Sequence, residues 1–170
     1  RLRTLTLANN KITSVSESEL NRLSDELETL VLDGNKINTF PKMNSESLIE
    51  LKLDDCGLSA IPDLSALPNL RSLALAKNNI NAIGDGVFSK NPYISILDFS
   101  DNAGLTSFSA NAGIYLKEQE DVIKGVTEKV SKPFYLHCVN VDNCPSLTWQ
   151  VPATWCCIEN FKMENKEDLL

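Results

Sequence analysis

The chain has 170 residues, 42% of them hydrophobic, with seven Gly and seven Pro. That suits one domain or one compact array and excludes collagen-like or low-complexity sequence. A formal net charge of −7 and a pI near 4.7 argue against a partner recognised mainly through phosphates and favour basic proteins or peptides. No apolar run approaches the roughly 20 residues that a membrane-spanning helix needs. No secretory signal is visible and the first residue is Arg1, so the sequence is expected to be a fragment or processed piece whose membrane contact, if any, comes through parts of the parent chain outside it.

In chain order, the first unit is Leu2, Leu5, Leu7, Asn10, Ile12, and the second is Leu27, Leu30, Leu32, Asn35, Ile37. The third is Leu48, Leu51, Leu53, Cys56, Leu58, and the fourth is Leu70, Leu73, Leu75, Asn78, Ile80. The fifth is Ile94, Leu97, Phe99, Asn102, and then Leu105 after one extra residue. The starts at 2, 27, 48, 70 and 94 are 25, 21, 22 and 24 residues apart. Alternation within each unit predicts a short strand with leucines on one face and small or polar residues on the other. An amide at Asn10, Asn35, Asn78 or Asn102 can both donate and accept where the chain turns a corner. Cys56 takes the same place; a buried thiol standing in for the amide is preferred to a reactive thiol or a metal ligand.

This pattern resembles the leucine-rich repeat, in which each unit needs copies of itself above and below to bury its leucines. The resemblance implies an α/β fold: a right-handed solenoid with a parallel sheet on its concave face and a C-terminal cysteine-containing cap. Val15, Phe40, Ile61 and Ile83 match the family's turn position, and Phe88 stands where the extracellular-type repeat places its Phe, with Leu20 its counterpart in the first repeat. Short helical turns are expected on the convex side, Asp63–Leu67 being one candidate. The repeats occupy residues 1–108.

Beyond Phe108 the rhythm stops. Val122, Val126 and Val130 recur every four residues beside Ile123, which predicts an amphipathic helix in an insertion over 109–133. A degenerate repeat follows over 134–151, with Leu136, Val139, Val141, Cys144 and Leu147. In that register Cys144 joins the ladder and Cys138 faces the concave side. Six extended residues span about 20 Å, whereas a disulfide needs Cα atoms within about 7 Å, so a Cys138–Cys144 bridge would contradict the register. Residues 152–170 form a Cys-Cys cap or hinge, and the charged closing stretch from Met163 is expected to fray.

Nothing reads as catalytic. The one histidine, His137, adjoins Cys138, and sequence neighbours point to opposite faces of a strand. Zinc would need four ligands from His137, Cys138, Cys144, Cys156 and Cys157, but the doublet lacks the gap usual between paired ligands. Gly84-Asp85-Gly86 lacks the Lys-Ser/Thr of a phosphate loop. No enzyme activity, metal or cofactor is therefore expected.

By the same resemblance, the third, fifth and seventh positions of each repeat point out of the sheet. Counted with the eighth, they carry seven acids (Asp33, Glu50, Asp54, Asp55, Asp98, Asp101, Asp142) against two bases (Lys52, Lys77). The expected ligand-binding face comprises Asp33, Glu50, Lys52, Asp54, Ala74, Ala76, Asp98 and Asp142. Its partner would be a basic protein or peptide, and Ala74, Ala76 and Gly34 would leave room for the partner's side chains.

The segment Pro152-Ala153-Thr154-Trp155-Cys156-Cys157-Ile158 is similar to the Tyr-x-x-x-Cys-Cys-Ala-Phe helix that closes the solenoid of leucine-rich-repeat G-protein-coupled receptors, those for glycoprotein hormones, bursicon and R-spondin. Asp101-Asn102-Ala103-Gly104-Leu105 looks like the extended last repeats of those ectodomains. The resemblance implies a hormone-capturing ectodomain fragment for a cystine-knot or furin-like ligand, with Cys156 and Cys157 in disulfides to cysteines lying later in the parent chain. Ile158-Glu159 in place of Ala-Phe, and the 109–133 insertion, depart from that pattern. Alternatives are a secreted or matrix scaffold and, with reduced cysteines, a cytoplasmic adaptor; the odd count of five cysteines leans towards an extracellular setting.

Overall fold

The computed structural model describes residues 2–23, 25–109, 111–112, 115–121, 126–132, 138–148 and 162–163. Seven parallel strands form one sheet: β1 (Thr4–Thr6), β2 (Thr29–Val31), β3 (Glu50–Lys52), β4 (Ser72–Ala74), β6 (Ile96–Asp98), β10 (Cys138–Asn140) and β11 (Lys162–Met163), adjacent in that order. A helix, α1 (Glu17–Arg22), lies in the first connection, and β5 (Ala82–Ile83) pairs in parallel with β7 (Ser107–Phe108).

Each strand is three residues or fewer, so the ladder by itself is weak and the core must hold the stack. The middle residues Leu5, Leu30, Leu51, Leu73, Leu97 and Val139 are aligned in register across six strands. From Leu30 onward that row is buried. Leu32, Leu53, Leu75, Phe99 and Val141, two residues further along each repeat, are buried as well. Complete burial of each leucine contributes about 2 kcal/mol. Phe88, 1% exposed, stands 6.5 Å from Phe99, and Phe108 meets Phe99 edge-on at 5.9 Å, so three aromatic rings fill the core of the later repeats. At the other end β1 pairs along one side, and Leu2 and Leu7 remain 52% and 36% exposed.

Polar ties between repeats run through the predicted ladder. Asn78 Nδ2 donates to Leu53 O of the preceding repeat (2.8 Å) and to Leu75 O of its own (3.0 Å), while its Oδ1 accepts from Cys56 N and Leu58 N (3.1 and 2.9 Å). Asn35 bridges Leu7 O, Leu32 O and Ile12 N, and Asn102 bridges Leu75 O, Phe99 O and Ile80 N. Asn10 is exposed and donates within its own repeat, to Leu7 O and Ala8 O. Cys56 and Cys144 are free buried thiols that donate to Leu32 O and Phe99 O, both at 3.3 Å. This is the ladder role expected of both.

Two expectations are corrected. In place of a helix over 109–133, β8 (Tyr115–Asp121) and β9 (Val126–Lys132) pair as an antiparallel hairpin. A four-residue spacing is also an even number, so Val126 and Val130 satisfy a strand's period of two as well as a helix's i, i+4. Their β-branching tips the balance towards strand. Asp63–Leu67 makes a single hydrogen-bonded turn, as expected of a short helical turn: Asp63 Oδ1 accepts from Ser65 N and Leu67 N donates to Leu64 O. Lys162–Met163, at the margin of the stretch expected to fray, adds a strand on β10, where backbone groups at the sheet edge gain partners.

The α-helix among the described residues is α1. Its N-terminus carries a capping box in which Ser16 Oγ accepts from Glu19 N and Glu19 accepts from Ser16 N. Replacing Asn78 by Ala would strand two buried N–H groups and the carbonyls it bridges. Chemical denaturation should then show a loss of about 3 kcal/mol, against less than about 0.5 kcal/mol for Asn10→Ala at the exposed end.

Candidate functional site

The exposed face of the sheet is built from register. One row runs Thr4, Thr29, Glu50, Ser72, Ile96, Cys138, and the next runs Thr6, Val31, Lys52, Ala74, Asp98, Asn140. A further row, at the strand exits, holds Ala8, Asp33, Asp54, Ala76, Ser100 and Asp142. The eighth residue of each repeat then turns the corner in the left-handed region: Asn9, Gly34, Asp55, Lys77, Asp101 and Asn143 have φ of 56°, 68°, 51°, 55°, 58° and 55°. Asn, Asp and Gly tolerate that region best, so the recurring Asn/Asp/Gly at this position was a readable signal. Asp55 and Asp101 are therefore corner residues, outside the sheet face. Gly34 does not leave room for a partner, because the Asn9 side chain occupies the place a Cβ would take.

The acids on the face also have structural work. Asp33 Oδ1 accepts from Asp54 N at 2.9 Å, and Asp54 Oδ1 accepts from Ala76 N at 2.7 Å, so each carboxylate ties one repeat to the next. Asp98 Oδ1 accepts from Ser100 N and Ser100 Oγ at 2.9 and 2.7 Å. The equivalent acceptor in the following repeat is Asn140, which receives Asp142 N. Asp33, Asp54, Asp98 and Asp142 are all half-buried. Lys52 pairs with Glu50 on its own strand at 3.1 Å, and no Lys or Arg among the described residues forms an ion pair with Asp33, Asp54 or Asp98. Ala74, in register with Asp98, is half-buried, while Ala76 is 7% exposed and forms floor, not contact surface.

This arrangement shifts protonation. The Asp54 carboxyl is pushed up to about 6, chiefly by burial; the Ala76 N–H and Lys52 pull it down, and repulsion from Asp33 and Asp98 adds to the rise. Burial also pushes the Cys56 thiol up to about 11, reinforced by Asp33, Asp54 and Asp55, and raises that of Cys144. Neither thiol is an activated nucleophile. No group of three or more His, Cys, Asp or Glu among the described residues is placed to hold a metal ion. His137, Cys156 and Cys157 lie outside the described residues.

One tie had no counterpart in the sequence reading. Asn91 is fully buried, and its Nδ2 donates to Leu64 O and Leu67 O at 2.8 and 2.9 Å, bridging the connections of consecutive repeats. A lone Asn in a Phe-x-x-Asn-x-x-Ile stretch, where the repeat before has Leu67, was the available clue.

The family model described as Leucine rich repeat matches residues 68–118, across the fourth and fifth units, and a second of the same description matches residues 1–23, the first unit.

Two measurements follow from these shifts. Folded Asp54 holds its proton more tightly than an unfolded aspartate, which titrates near 3.9. Its contribution favours the fold below about pH 4 and is lost as pH rises through about 6. Asp54→Asn keeps the Oδ1 acceptor and removes the charge. It should stabilise the chain at pH 7 by on the order of 1 kcal/mol after allowance for solvent screening, a gain that vanishes at about pH 4 in denaturant titrations. Mass-spectrometric mapping of iodoacetamide adducts should show Cys56 and Cys144 unmodified in the native chain and modified once it is denatured.

Proposed function

Because the chain is built of leucine-rich repeats, we propose that it is a non-enzymatic protein-binding module whose concave sheet receives a basic segment of a protein partner. Leucine-rich repeat domains generally mediate protein–protein interaction. The observation that carries the finer reading is charge: Asp33 and Asp98 lie near enough to Asp54 to repel it, no described Lys or Arg forms an ion pair with any of the three, and Lys52 is tied to Glu50. An incoming Lys or Arg would offset the repulsion that Asp33 and Asp98 add to the burial-driven rise of Asp54. Glu50, Lys52 and Asp142 complete the face. Phe88, buried where the extracellular-type repeat carries its Phe, supports placing the module outside the cell, as the ligand-capturing part of a cell-surface receptor.

Lys substitutions at the three aspartates would also break the backbone bonds that Oδ1 accepts. The clean test is the triple variant Asp33→Asn, Asp54→Asn, Asp98→Asn, which keeps the acceptors. Calorimetric titration with a short lysine-rich peptide should show salt-sensitive binding to the parent chain, weakened at least about tenfold in the variant. Equal affinity for the two chains would overturn the proposal.

A further inference from the structure

The row Thr4, Thr29, Glu50, Ser72 is polar up to Ile96. Ile96 is a branched aliphatic residue left 48% exposed. Its strand is not an edge: β6 is paired on both sides, with β4 and β10. Exposure there is therefore not a by-product of an open end, unlike that of Leu2 and Leu7. Two residues along the same strand face stands Asp98, about 6.6 Å away at the usual rise. On the neighbouring strand the residues in register with Ile96 and Asp98 are Ser72 and Ala74, both short. The result is an apolar knob and a carboxylate side by side above a low shelf.

Resting on the reading of this sheet as the binding face, we propose that Ile96 is the apolar anchor of the site, and that its occupant is an extended protein segment in which a bulky apolar residue alternates with Lys or Arg. The apolar side chain covers Ile96 over the Ser72–Ala74 shelf, and the cation two residues on reaches Asp98. Both strands advance by the same distance per residue pair, so an extended segment matches the Ile96–Asp98 spacing. Charge complementarity selects the sign: an acidic segment would meet Asp54 and Asp98 with like charge. A second copy of this chain, with its net charge of −7 and the same acidic face, is disfavoured for the same reason.

The test titrates the full chain with three short synthetic peptides: alternating leucine–lysine, alternating serine–lysine, and alternating leucine–glutamate. Leucine–lysine should bind most tightly, and Ile96→Ser should weaken it about tenfold while leaving serine–lysine binding unchanged; Ile96→Val should retain most of the affinity. Circular dichroism checks that both variants fold. If leucine–lysine and serine–lysine bind equally and Ile96→Ser alters neither, the anchor is overturned while the acidic face stands. If neither lysine peptide binds, the face itself falls, and the anchor with it. Preference for leucine–glutamate overturns the charge selection. Sedimentation showing a dimer of the parent chain that Ile96→Ser dissociates would assign the patch to a second copy, against the proposal.

Discussion

The architecture depends on one interaction: a buried side-chain amide that donates to the carbonyl of the preceding repeat and accepts an N–H from it. Three-residue strands contribute few ladder hydrogen bonds, and an unpaired backbone group in the interior costs about as much as a lost hydrogen bond. Asn35, Asn78 and Asn102 solve both problems at once, since one amide satisfies the corner of its own repeat and clamps it to the one before. Cys56 and Cys144 keep the donor half of that arrangement. A thiol is a weak acceptor, and it is tolerated because burial holds it protonated and able to donate.

With the corners held, the exposed rows fall into register, and this makes a surface out of separate repeats. The left-handed residue after each strand exit sends the chain away from the sheet at the same point each time. Asp33 and Asp54 extend the tie outward by accepting the next repeat's N–H, so acids on the exposed face also belong to the scaffold. Neutralising these carboxylates would relieve the repulsion among them while an amide in their place keeps the backbone tie. Burial, with repulsion from Asp33 and Asp98 added, pushes the Asp54 carboxyl up to about 6.

The hairpin at Tyr115–Lys132 and the Asn91 bridge show where pattern reading reaches its end. A spacing of four residues fits both a helix and a strand, and valine spacing alone cannot choose between them. Asn91 holds a position at which the preceding repeat has a leucine, and a polar residue there has meaning only once the carbonyls of Leu64 and Leu67 are in place around it. Gly34 misled for a related reason: the missing side chain looked like space, but the Asn9 amide from the repeat before fills it.

By itself the sequence determined the repeat period, the strand-and-corner unit, the row of buried leucines and the amide ladder, because each is a local pattern that recurs at a fixed spacing. It also identified most of the exposed face, since alternation assigns sides along a strand. Only the tertiary structure decided which acids accept a neighbouring repeat's N–H, that Lys52 is already paired, that Ala76 is floor and that Ile96 stands exposed on an interior strand. Those properties arise between neighbouring repeats, from distances and burial that no single repeat contains.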